Sequence, residues 1–430
     1  MTNLCNINRA AKERFFQLIQ HTKDPLYRNS LFLMANTAVT VLLGYVFWIV
    51  VARYYSEADV GYGNAVIMAI SLISLFSRLG LDIALIRFLP KAEKPVEMIN
   101  SCFVLSAAVS LVLAIIFVAA VDVLSPELGF INDNAVFALV FVLFSILWTL
   151  SWMLDYIFIA RRKADFVLYK NTIYSVLKLV LPFILVSFFY AFGIVSSWGI
   201  AVGIGLIIGL FLFLPRTLKG YKPSPRINFQ IIKGLWNYSF KNYIVILFST
   251  SPTYLLPLLV INRLGPEQNA YFYIAWMVAT ALYIIPTAVS QSLFAEGSHH
   301  EEMLEKNVRR SCKFMFILLI PACALVLIIG KWILMAFGAS YAANATLLLH
   351  MLAISSVFVA INRIYSIILL IKHRIGELII ITCVPTVLFL IACYSIAPIA
   401  GIVGVGYAWL VVEVLLSFYV LFALRRLNIS

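Results

Sequence analysis

Residues 50–65, VVARYYSEADVGYGNA, and residues 260–275, VINRLGPEQNAYFYIA, are two versions of one polar turn set between long apolar runs. At the offset that carries residue 53 onto residue 263, Arg53 meets Arg263, Glu57 meets Glu267 and Ala65 meets Ala275. IARRKADF (159–166) and LIKHRIGE (370–377) recur at nearly the same offset, and short Gly-rich turns around Gly193 and Gly401 correspond as well. Apolar runs alone would prove little, but matched turns at one spacing mark a duplicated unit.

Outward from these turns, the chain of 430 residues is 63% hydrophobic and only 12% charged, with mean hydropathy +1.00. Soluble chains carry about 25% charged residues, so a soluble enzyme, a disordered chain and a secreted disulfide scaffold are all excluded. Crossing a bilayer takes roughly 20 consecutive apolar residues. Twelve such runs are present, at about 30–52, 62–80, 99–121, 135–158, 172–191, 194–214, 237–260, 270–293, 314–336, 345–370, 378–397 and 400–423. Only Phe192-Gly193 parts the fifth from the sixth, but a single helix there would be far too long to span. The expected fold is therefore an all-α integral membrane protein of twelve transmembrane helices in two six-helix bundles. Six spans per unit bring both units in from the same side, related by a pseudo-twofold axis along the membrane normal.

The net charge of +13 reports orientation rather than nucleic acid. Most lysines and arginines fall in the N-terminal tail and in alternate loops: Arg87/Lys91/Lys94, Arg161/Arg162/Lys163/Lys170, Arg216 to Lys233, Lys306/Arg309/Arg310/Lys313, Lys372/Arg374 and Arg425/Arg426. The opposite loops hold Arg53, Arg263 and Lys331, among acids such as Asp122, Glu127 and Asp133. Both termini are thus expected in the cytoplasm, in a multi-pass protein of the cell membrane. The division that follows is a cytoplasmic tail at 1–29, an N-terminal lobe at 30–214, a basic cytoplasmic linker at 215–236, a C-terminal lobe at 237–423 and a tail at 424–430. Residues 1–29 lack the compact apolar segment of a signal peptide and read as a tail with some amphipathic helix.

Ionisable groups inside the bilayer are costly and usually face the protein interior or a wet cavity. Four cations fall outside the loops: Lys178 near the middle of its span, Arg363 about 13 Å deep at 1.5 Å per residue from Lys372, and Arg78 and Lys241 nearer the cytoplasmic ends, where snorkelling is an equal alternative. Lys178, Arg363, Arg78 and Lys241 are the candidate anion-binding groups. The membrane acids are Asp155 and Glu413, candidates for gating or coupling. Asp155 and Arg363 lie at comparable depth on repeat-related helices, so a pair between lobes and separate pairing within each lobe are both open. Asp82, at a helix end, needs no special role. His350 reads as a hydrogen-bonded core histidine, and His299 and His300 lack companion ligands for a metal. Cys5, Cys102, Cys312, Cys323, Cys383 and Cys393 are scattered, and those in apolar runs read as buried small hydrophobes. No cofactor is implied, and no nucleotide-binding loop is present. Pro252, Pro257 and Pro286 predict bends in the seventh and eighth spans. Trp48, Trp148, Trp152, Trp198 and Trp236 read chiefly as interfacial or lipid-facing aromatics.

Four segments carry a family resemblance: VVARYYSEADVGYGNA (50–65), LGLDIALIRFLPK (79–91), SLFAEGS (292–298) and FGASYAANATLLLHMLAI (337–354). With them the chain, from about residue 28 onward, resembles the O-antigen and capsule-type polysaccharide-export flippases of the multidrug/oligosaccharidyl-lipid/polysaccharide superfamily. The resemblance implies a V-shaped cavity lined chiefly by helices one, two, seven and eight. It implies alternating access that carries a polyprenyl-(pyro)phosphate-linked glycan across the cytoplasmic membrane, with membrane lipid and glycan-assembly enzymes as partners. A phosphate headgroup calls for cations, and the leftover membrane residues are mostly cations. The alternative is an ion-coupled multidrug or organic-cation antiporter of the same superfamily, which would need Asp155 or Glu413. A membrane enzyme is disfavoured, because the longest outer connection, about 122–134, carries acids and no histidine.

Overall fold

The computed structural model describes residues 25–299 and 303–426, and among them all regular structure is helical. The membrane-crossing helices are α1 (Pro25–Tyr54), α2 (Glu57–Ser77), α3 (Pro95–Ala119), α4 (Ala135–Ala160), α5 (Ala164–Leu185) and α6 (Ala191–Thr217). They continue as α7 (Phe229–Leu264), α8 (Pro266–His299), α9 (Leu304–Met335), α10 (Ala339–Ile371), α11 (375–400) and α12 (402–426).

The two tightest turns obey the same geometry. A Cβ on Gly193 would lie 3.0 Å from the Leu185 carbonyl oxygen, and one on Gly404 would lie 3.1 Å from that of Ile396. Eight residues of continuous helix advance about 12 Å, so the chain must double back at both places. Gly401 carries the second reversal at φ 61°, ψ −153°. The doubled spans at 172–214 and 378–423 are therefore four helices, at positions equivalent in the repeat.

Local chemistry sets the helix starts. Ser56 accepts the Asp59 N–H at 3.1 Å, with Glu57 and Asp59 at the positive end of the α2 dipole. Asn134 caps α4 through the Val136 N–H, and Asn228 caps α7 through those of Gln230 and Ile231. Because α7 begins at Phe229, eight residues before its expected start, the free linker is shorter than 215–236. It is also strapped down: Asn100 donates to the Lys222 carbonyl, Tyr221 to Asn100, and the Asn228 N–H to Ser101. Helix α1 already includes Pro25–Asn29 of the expected tail, and residues 1–24 and 427–430 lie outside the described residues. Cys102, Cys323 and Cys393 are buried, whereas Cys383 is half-buried.

On the face away from the basic loops, the two halves meet through pseudo-symmetric contacts. Arg53, at the end of α1, donates to the Met335 and Ala336 carbonyls after α9, at 2.7 and 2.9 Å. Asn262, at the end of α7, accepts from Ser125 and from the Glu127 N–H after α3. Ser340 donates to Glu57, and Asn269 donates to the Gly61 carbonyl at 2.8 Å. A Cβ at Gly61 would come within 1.8 Å of the Pro266 carbonyl, so backbone meets backbone there.

On the basic face, α2 and α7 stay in contact. Tyr243 donates to the Leu75 and Phe76 carbonyls, and Gly80, at φ 73°, nestles against the Ser239 carbonyl. Along the other seam, α1 and α8 touch near mid-span, where Tyr45 donates to the Met277 carbonyl and Trp48 meets Tyr273 edge-on. Nearer the basic face, α1 is largely exposed, at Arg28, Leu31, Met34 and Thr37 among others. Contacts thus close the face away from the basic loops, and among the described residues the α1/α8 hydrogen bond and ring contact lie near mid-span.

Candidate functional site

Beside this mid-span contact, the halves enclose a chamber of about 450 Å³. Its walls come from α1 (Thr40 to Trp48), α2 (Ile67, Met68, Ser71), α4 (Trp148), α5 (Tyr174, Lys178), α6 (Trp198), α7 (Tyr254) and α8 (Tyr273 to Ile284). Helices one, two, seven and eight contribute, as the resemblance implied, but α4, α5 and α6 bring the chamber's charge and much of its aromatic wall. Trp148 packs tilted against Trp198, with ring centroids 4.8 Å apart.

Among the described residues, Lys178 is the one charged residue lining this chamber. Its ammonium sits 4.8 Å from the Tyr174 ring centroid and 5.3 Å from that of Phe47, with the Tyr174 hydroxyl at 3.5 Å. Among the described residues no carboxylate lines the chamber. Aromatic faces stabilise a desolvated cation by about 2 kcal/mol without neutralising it. Lys178 is therefore a buried lysine set against aromatic faces. Trp48, Trp148 and Trp198, read from sequence as interfacial, point inward here, while Trp236 is exposed and stacks on Phe240.

The other cations lie elsewhere. Arg78 does not snorkel. It is buried, pairs with Asp82 at 2.7 Å, donates to the Ser74 carbonyl and stacks over Trp152 with the centroid 5.1 Å away. Asp82 thus has the partner role that its helix-end position concealed. Arg363 is exposed on the side of α10 opposite the exposed row Ala343, Leu347 and Ile354, and it does not line the chamber. The Lys241 side chain lies outside the described residues.

Neither candidate acid is free. Asp155 is bound within its own half: the Lys170 ammonium lies 3.0 Å away, and Asn171 donates at 3.2 Å while also donating to Asn36 of α1. Lys170 in turn donates to the Ser151 hydroxyl at 2.7 Å and to its carbonyl at 3.2 Å. Lys170 is 2% exposed, so it is a membrane residue of α5 rather than a loop cation. A pair between Asp155 and Arg363 is not formed. Glu413 accepts from Asn362 at 2.7 Å, and Ser417 donates to the same asparagine. His350 packs beside Gly330, and its Nε2 has no hydrogen-bond partner among the described residues, contrary to the sequence reading. The side chains of His299 and His300 lie outside the described residues.

Comparison with known proteins places this geometry in context. A family described as polysaccharide biosynthesis proteins matches residues 50–345. A Shigella flexneri protein named "Putative O-antigen transporter" is 28% identical over 156 residues, which is 35% of this chain. The chain spans 37% of that relative's length. Among solved structures, the lipid II flippase MurJ in an inward closed conformation superposes with a TM-score of 0.73 at 15% identity, covering 92% of this chain and 87% of that one. A multidrug resistance MATE family transporter of the MOP superfamily, inward-facing, superposes at 0.66 with 16% identity, covering 92% and 98%. At such identities the likeness is one of fold.

Proposed function

The chain belongs to the polysaccharide biosynthesis protein family and has the fold of membrane transporters rather than of a catalytic enzyme, and from that premise we propose that it flips a polyprenyl-(pyro)phosphate-linked oligosaccharide across the cell membrane. The basic face is cytoplasmic, both termini lie inside, and the α1/α8 opening admits the lipid's headgroup from the inner leaflet. The two halves, residues 30–214 and 237–423, rock about the α2/α7 contact. Rocking breaks the outer contacts of Arg53, Glu57 and Asn269 and exposes the chamber to the other side.

The observation that carries this reading is Lys178. Bringing a phosphate into a low-dielectric chamber requires a compensating charge, and Lys178 supplies it without a competing carboxylate. Aromatic walls suit sugar rings and isoprenoid methylenes alike, through stacking and area burial. The antiporter alternative draws no support from the chamber, because neither Asp155 nor Glu413 lines it.

The test is translocation in reconstituted vesicles, using a fluorescent undecaprenyl-pyrophosphate oligosaccharide. Replacing a charge-assisted hydrogen bond worth about 1.5–3 kcal/mol should slow Lys178→Met by about 10- to 150-fold, with Lys178→Arg retaining most activity. Wild-type rates in Lys178→Met would remove the headgroup assignment. Transport of organic cations in place of the lipid would favour the antiporter.

A further inference from the structure

A second cavity, of about 700 Å³, lies between the basic-face halves of α8 and α9. We propose that it is a loading site for the polyisoprenyl phosphate carrier, whose phosphate docks at Arg310 in the inner leaflet while its chain lies in the groove. This rests on the flippase reading and specifies where the lipid waits before its headgroup reaches Lys178.

Three observations converge. The first is continuity: Ile284 lines both the groove and the chamber. Met277, Ala281 and Ile284 line the chamber, and Ala288 and Ser292 carry the same α8 face down into the groove. The second is polarity. The deep end is apolar (Ile284, Ile285, Val289, Leu318), whereas the end near the basic face carries Asn307, Arg310 and Ser311. A lipid of the inner leaflet has this same order, with its headgroup at the surface and its chain toward the midplane. The third is charge. Arg310 is exposed at the groove mouth and forms no ion pair among the described residues, Glu305 being paired with Arg309 at 2.9 Å. Glu296 lines the mouth as well, so the anion approaches from the α9 side, where Arg310 provides a cation and Asn307 and Ser311 two further hydrogen-bonding groups. An ordinary phospholipid would satisfy charge and polarity, but continuity with the chamber favours the lipid that has to enter it.

The experiment uses the full chain in phosphatidylethanolamine nanodiscs containing undecaprenyl phosphate with a diazirine on its isoprenoid chain, and reads labelled residues by mass spectrometry. Labelling is expected within 284–293 and 314–318. It should fall about fivefold in Arg310→Gln, the effect of one surface cation on an anionic lipid, and be lost in Ala288→Trp, which fills the groove. Arg310 is exposed, so its variant tests the proposal even if the tryptophan variant does not fold. Tenfold excess phosphatidylglycerol should leave labelling unchanged. Labelling elsewhere, insensitivity to Arg310→Gln, or full displacement by phosphatidylglycerol would each overturn the proposal. Lys178→Met should keep the labelling while translocation slows about 10- to 150-fold. Translocation by wild type without groove labelling would sink the loading site alone, and labelling without translocation of any glycan lipid would sink the flippase reading alone.

Discussion

Replacing Asp155 with asparagine should destabilise the protein without touching transport chemistry. The Lys170 ammonium is 2% exposed and would lose its only carboxylate, since Asp155 is its one ion-pair partner among the described residues. Breaking a buried pair from one side costs about 3–5 kcal/mol, because the surviving charge is left uncompensated. Here the lower end applies: Ser151 still accepts two of the three ammonium hydrogens through its hydroxyl and carbonyl. Asp155→Asn should therefore cost about 3 kcal/mol. Adding Lys170→Met removes the orphaned cation and should recover most of that loss, giving a coupling above about 2 kcal/mol in a double-mutant cycle. Detergent-solubilised protein titrated with SDS reads the stability, and vesicle translocation is read in parallel. The double variant should fold and transport. If it is no more stable than Asp155→Asn, the pair is not what holds α4 to α5. If Asp155→Asn is as stable as wild type yet loses ion-dependent transport, the carboxylate is a coupling group and the structural account of it is wrong.

The outer closure yields further expectations. Arg53→Ala removes two hydrogen bonds to the carbonyl end of α9, worth about 1–2 kcal/mol together, and should raise the outward-open population about 5- to 30-fold. Spin labels at Asp133 and Lys331 would report this as a longer outer distance; an unchanged distribution would mean Arg53 does not hold the gate. Gly61→Ala places a methyl where the Pro266 carbonyl sits and should force the same seam apart more strongly. If Gly61→Ala keeps the wild-type outer distance, the backbone contact there is not tight.

Much of the architecture was legible because two strong signals agreed. Apolar length located the helices, and the offset from Arg53 to Arg263 joined them into halves; Trp198 and Trp409 prove to be related by almost the same offset. The even spacing of basic loops separated the faces. The interior was less legible. Lys170 looked like loop because hydropathy rises only after it, yet α5 starts at Ala164 and carries it into the core. The i,i+4 spacing of Arg78 and Asp82 was readable as a pair, but their place at a helix end suggested solvent instead. Lys178 was singled out by its depth alone. Its setting was hidden, because a helix that is apolar all round gives no sign of which face turns inward. Hence Trp148, Trp198 and Tyr174, which build the chamber, were indistinguishable from aromatics facing lipid.

The proposed function requires that a lipid phosphate rest against the Lys178 ammonium inside the chamber. Solid-state NMR can measure it directly, by dipolar dephasing between ¹⁵Nζ-lysine and the ³¹P of bound undecaprenyl phosphate in proteoliposomes, with Lys178→Met identifying the signal. A phosphate hydrogen-bonded to the ammonium lies at ~4 Å or less from nitrogen to phosphorus, so strong dephasing that disappears in Lys178→Met is the predicted result. Dephasing that survives in Lys178→Met, or none while the lipid is being transported, would contradict the account.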